Sequence, residues 1–180
     1  MKPFCRQLWN FFVNNIQDVR ALTTNSKLIE FAQFVFSEKG DRDFPDYKKI
    51  DLMKIARLVS HVWVLDFRNG LEDGVPFHFS GTHIDTQYGR NLTGVDVEIA
   101  YSGEDFKEVI NGYYYNVYVQ KKTAYTKRTV HYSDDYIDKI KMVETILIPC
   151  SHNNNDIDFG LGFAEYSLAD ETIENQYLLL

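Results

Sequence analysis

The sequence predicts an α+β fold: a five-stranded antiparallel sheet with helices on one face, preceded by an N-terminal helical extension. Three observations predict it. Apolar residues recur at helical spacing through the first sixty positions, two β-rich runs follow, and three more runs close the chain behind a helical insert. Strands grouped in twos and threes, rather than alternating singly with helices, belong to α+β folds with antiparallel sheets. A chain of 180 residues holds one such domain, and an apolar share of 44% with 15% aromatic residues supports a packed core. The expected division is an extension over 1–25, the domain over 26–170 and a tail over 171–180.

Phe4, Leu8, Phe12 and Ile16 repeat every four positions, with Trp9 and Val13 beside them, so the first helix has a broad apolar face. A second helix over Ser26 to Glu38 places Leu28, Phe31, Ala32 and Val35 on one side, and Lys39-Gly40 ends it. A third, from about Ile50 to Ser60, carries Leu52, Ile55, Leu58 and Val59. The run from Val62 to Phe67 is β-branched and aromatic, and Asn69-Gly70 and Asp73-Gly74 are turn dipeptides. Pro76 to Gly81 alternates, which puts Phe77 and Phe79 on one face and His78 and Ser80 on the other. Short helical pieces broken by glycine lead to a long helix, Glu104 to about Gln120. There Phe106, Tyr113 and Val117 are expected inward, with Tyr114 and Tyr118 as a second stripe. Gly112 within it costs about 1 kcal/mol relative to Ala and implies a packing reason or a kink. Three strands follow, over Thr123–Tyr132, Ile140–Cys150 and Ile157–Tyr166. In the last, Gly160, Gly162 and Ala164 oppose an apolar stripe, so a helix, partner or ligand is expected close on that side. Tyr177 to Leu180 is apolar and could dock on this domain or on a second subunit.

Nineteen Lys plus Arg against 26 Asp plus Glu give 19 − 26 = −7. That charge repels phosphate and argues against nucleic acid or an anionic membrane as partner. No segment has the ~20 consecutive apolar residues of a membrane span, and no leader pattern is present, so a cytoplasmic location is expected. Cys5 and Cys150 alone make neither a disulfide framework nor a zinc site. The five histidines, His61, His78, His83, His131 and His152, show no metal-binding spacing. Asp134, Asp135 and Asp138 lack the spacing of a calcium loop and read as a solvated hairpin end. No cofactor is expected.

Four stretches carry a resemblance. These are Leu28-Ile29-Glu30-Phe31 leading to Phe44-Pro45-Asp46; Leu58 to Asp66, a helix running straight into a strand; Phe79-Ser80-Gly81-Thr82-His83-Ile84-Asp85 followed by Tyr88-Gly89-Arg90-Asn91-Leu92-Thr93-Gly94; and Ile146 to Ser151 before a polar turn and a glycine-containing strand. Residues 28 to 166 thereby resemble the small stand-alone PAS-like proteins of certain bacteria. The chain departs from that pattern at Ala32-Gln33, where the family tends to carry Trp, and in its Tyr113-Tyr114-Tyr115 run. Read on its own, the central motif is turn chemistry: Gly81 ends a strand, Thr82 caps the following helix, Gly89 closes it with positive φ, and Arg90 and Asn91 sit at the mouth of the insert.

The resemblance implies a sensory or regulatory module without catalysis of its own. It would bind a small organic ligand between sheet and insert and signal through a partner protein or a homodimer formed by the first helix. The ligand-binding positions expected are Phe79, His83, Tyr88, Arg90, Tyr114, Tyr118 and Phe163, with no catalytic residue and no metal ligand. Two other readings compete. One is an adaptor of the same fold with a filled core. The other is a small cone-shaped α+β enzyme acting on a hydrophobic substrate, for which Asp66 with His78 or His83 is the pair to nominate.

Overall fold

The computed structural model of the chain describes residues 16–101, 104–134, 137–169 and 171–180, with backbone alone over 104–111, 131–134 and 137–140. The apolar face expected at Phe4 to Val13 lies outside the described residues, as do Cys5, Asp135 and the side chains of Phe106, His131, Asp134 and Asp138.

The described chain opens with α1 (Ile16–Leu22) and α2 (Ser26–Lys39). Asn25 caps α2: its Oδ1 accepts from the N–H groups of Lys27 at 3.1 Å and Leu28 at 3.2 Å. Leu28, Phe31, Ala32 and Val35 are fully buried, as their spacing requires. The expected third helix is instead a 3-10 segment, Leu52–His61, broken at Ile55. Its buried residues, Ile55, Leu58 and His61, recur every third position, the repeat of a 3-10 helix rather than of an α-helix.

β1 (Val62–Asp66) and β2 (Phe77–Ser80) then precede α3 (Thr82–Tyr88), α4 (Val97–Ala100) and α5 (Glu104–Gln120). β3 (Ala124–Asp134), β4 (Ile137–Cys150), β5 (Phe159–Ala169) and β6 (Gln176–Leu179) complete the chain. The sheet order is β2-β1-β5-β4-β3-β6, antiparallel throughout. The fold is therefore α+β, but the described residues form a sheet of six strands instead of five. The extra strand comes from residues that read as a tail. Tyr177 and Leu179 alternate inward beside β3, and Leu180 exchanges two backbone hydrogen bonds with Thr123, at 2.8 and 3.2 Å.

Helices cover both faces, not one. Leu28, Phe31 and Leu58 pack on Val62, Val64, Ile146, Leu161 and Phe163. Ile84, Leu92, Val97, Tyr114 and Val117 pack on Trp63, Leu65, Leu147 and Ala164. Successive residues of β1, β4 and β5 thus feed opposite cores, and 62–65, 146–148 and 161–164 are apolar without interruption for that reason. Phe77 and Phe79 do not share a face. Val64 pairs with Phe79 and Leu65 with Phe77, so a bulge at His78 resets the alternation and sends the two rings to opposite cores.

The long helix is rotated from its expected setting. Tyr114 and Val117 are the buried positions, while Tyr113 stacks on Tyr177 with ring centroids 5.1 Å apart. β6, unforeseen, supplies the ring that holds Tyr113 off the core. Among the described residues Gly112 meets no packing neighbour within 4 Å, and α5 is continuous through it. The body packed against Gly162 is neither helix nor ligand but the Trp63 ring, which pairs with it across the strands and lies over it. No helix among the described residues is long and apolar enough to cross a membrane.

Candidate functional site

The central motif builds the roof of the insert. Gly81 donates to Val62 O at 2.8 Å and passes so near the 3-10 segment that a Cβ would lie 2.5 Å from Val59 O. A side chain is excluded there by close approach, not by φ, which is −73°. The helix that follows has no side-chain cap: Thr82 lends its carbonyl to Thr86 Oγ1 instead, at 2.8 Å. Gly89 does take positive φ, 64°, and closes α3 through the carbonyls of Asp85 and Thr86. Arg90 is exposed and pins the insert by donating to Ile99 O at 3.0 Å.

Beneath this roof four tyrosines converge from four elements. Tyr88 ends α3, Tyr101 follows α4, Tyr114 is on α5 and Tyr166 is on β5. The Tyr101 and Tyr166 side chains lie near the Tyr88 hydroxyl, and those of Tyr101 and Thr145 near the Tyr114 hydroxyl, close enough to favour the phenolates. Thr145 Oγ1 meets Thr126 Oγ1 at 2.6 Å. Arg128, 5% exposed, lies close enough that its charge favours the phenolates of Tyr88, Tyr101 and Tyr114. Burial outweighs it. The phenol of Tyr88, a half-buried residue, is pushed up to about 12. Tyr101 and Tyr114 are also raised by burial. The rings interlock: Tyr88 and Tyr101 centroids are 5.5 Å apart, and Trp63 and Tyr114 5.0 Å.

Phenols held protonated can donate and accept hydrogen bonds but do not serve as bases at neutral pH. With a guanidinium beside them, the cluster is chemically suited to hold an acceptor-bearing group. Among the described residues no three His, Cys, Asp or Glu side chains are placed to hold a metal ion.

No protein-family model matches the chain, and comparison with curated proteins finds no relative.

Of the residues expected in the site, Tyr88 and Tyr114 come together in this cluster. His83 borders it, its ring 5.7 Å from Tyr166. Tyr118 packs on Phe67 at 5.4 Å, within the same core but outside the hydroxyl cluster. Phe79 and Phe163 face the opposite core, where Phe163 stacks on Phe31 at 5.1 Å. Tyr101, Arg128, Thr145 and Tyr166 escaped the sequence reading. A signal for Arg128 was present: Ala124, Thr126 and Arg128 share one side of an alternating strand, so a cation sits in a buried row.

Asp66, the acid nominated with His78 or His83, is engaged by Arg68. It accepts from Arg68 Nε at 2.9 Å and from the Arg68 backbone at 3.1 Å, and Arg68 holds its carboxyl below the usual carboxylate range. Burial raises the Cys150 thiol.

The strands under the cluster also carry polar groups on their other face. On β4, Thr145 lies near the Tyr114 hydroxyl, while its neighbour Glu144 accepts from Tyr125 Oη at 2.6 Å and Asn25 Nδ2 at 3.2 Å. On β5, Tyr166 lies near the Tyr88 hydroxyl, while Glu165 pairs with Lys27 at 2.8 Å and lies 3.1 Å from His61.

Proposed function

We propose that the chain is a non-catalytic regulatory module of the PAS type, in which the tyrosine–arginine cluster senses a small organic molecule and the N-terminal helices carry the response. The observation that carries this reading is the pairing of polar residues through the sheet. Thr145 and Tyr166 touch the cluster, and their sequence neighbours Glu144 and Glu165 hold the first turn of α2 through Asn25 and Lys27. A small shift of β4 or β5 under the cluster is thereby felt at α2, the element that joins the domain to residues 1–25. The output is a partner protein or a homodimer. The element order, two strands, a helical insert, a long helix and a three-strand meander, is the layout that the PAS resemblance implies. The ligand this cluster suits has an aromatic or apolar body and at least one strong acceptor for the guanidinium and phenols.

The second reading, an adaptor with a filled core, is favoured by Trp63, Tyr101 and Tyr114, which are almost wholly buried and occupy the layer between sheet and insert. Native mass spectrometry of the full chain, with thermal shift against a metabolite panel, separates the two. The sensor reading expects a bound or stabilising small molecule, weakened by Tyr101→Phe and by Arg128→Gln, with slowed amide exchange over Lys27–Phe31. A chain that binds nothing across the panel refutes it and leaves the adaptor.

A further inference from the structure

We propose that the chain carries a second small-molecule site, distinct from the tyrosine cluster, which takes an amphipathic organic acid: an apolar body bearing one carboxylate. A cavity of about 290 Å3 opens where α2 and α5 finish, walled also by the ends of β4 and β6. It shares no residue with the cluster. Its volume is at the lower end for ligand sites, roughly 300–1,000 Å3, and suits a small molecule rather than a peptide.

Phe36, Phe44, Ile148 and Leu180 supply apolar walls. Lys39, Lys121 and Lys122 reach the same cavity. The opposing charge is Asp43, whose Oδ2 is held by Asn154 Nδ2 at 3.1 Å. Three cationic side chains against one acidic one is a local positive excess in a chain of net charge −7. Lys39 and Lys121 form no ion pair among the described residues. Helix C-termini favour lysine by about 0.3–1 kcal/mol in any setting, a role that needs no cavity. The helix dipole does not account for the aromatic and aliphatic walls these amines border. Nor does it account for Lys121 itself, which stands in the left-handed region at φ 56° directly after α5. Glycine or asparagine holds that position without the steric cost, about 1–2 kcal/mol, that a long side chain incurs. A lysine there keeps an amine at the cavity mouth. A cavity with apolar walls on one part of its lining and Lys39 and Lys121 on another has the chemistry to bind a fatty or aromatic carboxylate: walls take the body and lysines take the head.

The test uses octanoate and its neutral isostere octanamide, titrated into the full chain by calorimetry and followed by NMR. The expected result is that octanoate binds at least about five-fold more tightly than octanamide, and that added salt narrows the gap. The double substitution Lys39→Gln with Lys121→Gln should weaken octanoate about five-fold and leave octanamide unchanged. The proposal is overturned if octanoate does not bind, if the two probes bind alike, or if the double variant binds octanoate as the parent does. Loss of octanoate binding in Tyr101→Phe with none in the lysine variant would place the acid at the tyrosine cluster instead and equally overturn it. Failure here leaves the sensor reading untouched, since that reading depends on the other face of the sheet.

Discussion

Alanine at position 162 should destabilise the protein, while alanine at position 112 should stabilise it. Both replace a glycine by the same methyl group, so the contrast isolates what the methyl meets. At Gly162 a Cβ would lie 2.6 Å from Trp63 Cδ2 and Cζ2. Carbon atoms rest about 3.5–4.0 Å apart, so the ring would have to retreat by about 1 Å. It has nowhere to go: Trp63 is 2% exposed, with Tyr114 at 5.0 Å and Phe77 at 5.9 Å between ring centroids. Overpacking of this kind costs about 1–3 kcal/mol, against which the lost backbone freedom of glycine returns about 0.5–1. The net expectation for Gly162→Ala is a loss of about 1–2 kcal/mol. At Gly112 the methyl meets nothing within 4 Å, and only the helix-propensity gain remains, about 0.5–1 kcal/mol. Urea unfolding of the full chain measures both, as opposite shifts in midpoint at constant m. In a Trp63→Leu background the penalty at 162 should largely vanish, because the ring that generates it is gone. If Gly162→Ala leaves the midpoint unchanged, or if its cost survives loss of the ring, the account of Trp63 as the body covering the glycine is refuted.

Two further outcomes follow from the N-terminal layer. Asn25→Ala should cost about 1–2 kcal/mol, since it removes both the α2 cap and a donor to the buried Glu144, and Asn25→Ser, which restores the cap alone, should recover part of it; thermal unfolding reads both. His83 should make the protein acid-sensitive. Burial, then the adjacent His61 ring, hold its pKa below the ordinary 6.5; Glu165 opposes this, and Lys27 and Lys141 add to it. The unfolded chain therefore takes up the proton first, so stability is full above about pH 6.5 and declines as pH falls from there toward the depressed value. His83→Gln should flatten that decline in denaturant midpoints measured between pH 7 and 5, and an unchanged slope would rule out His83 as its source.

Much of the fold was legible because local pattern and tertiary burial agree. The α2 face, the strand runs and the glycine closing α3 follow from spacing and turn chemistry. What escaped was set by partners distant in sequence. β6 is four residues whose alternation gains meaning only beside β3. The rotation of α5 depends on it, since Tyr177 claims Tyr113 and leaves Tyr114 for the core. The segment before β1 was legible in retrospect, because Ile55, Leu58 and His61 already keep a period of three.

The bulge in β2 shows how a single unpaired residue redistributes a candidate site. Phe77-His78-Phe79 reads as clean alternation, which would set both rings against the insert. One extra residue opposite the Val64–Leu65 step sends Phe79 to the N-terminal core and keeps Phe77 beneath Tyr101, with centroids 6.1 Å apart. Nothing in a dozen residues of sequence marks that step, because the bulge is fixed by β1 pairing on its other edge with β5. There Trp63 must lie over Gly162, and Val64 must face the helices of the opposite layer. The same constraint explains why Phe163 lies on the face opposite the tyrosine cluster. It follows Gly162, so once the glycine lies under Trp63 on the insert side, Phe163 faces Phe31. Tyr166, three positions on, returns to the insert side and joins the cluster. The membership of the cluster was thus decided by one cross-strand pair, Trp63 with Gly162, more than by any motif within the insert itself.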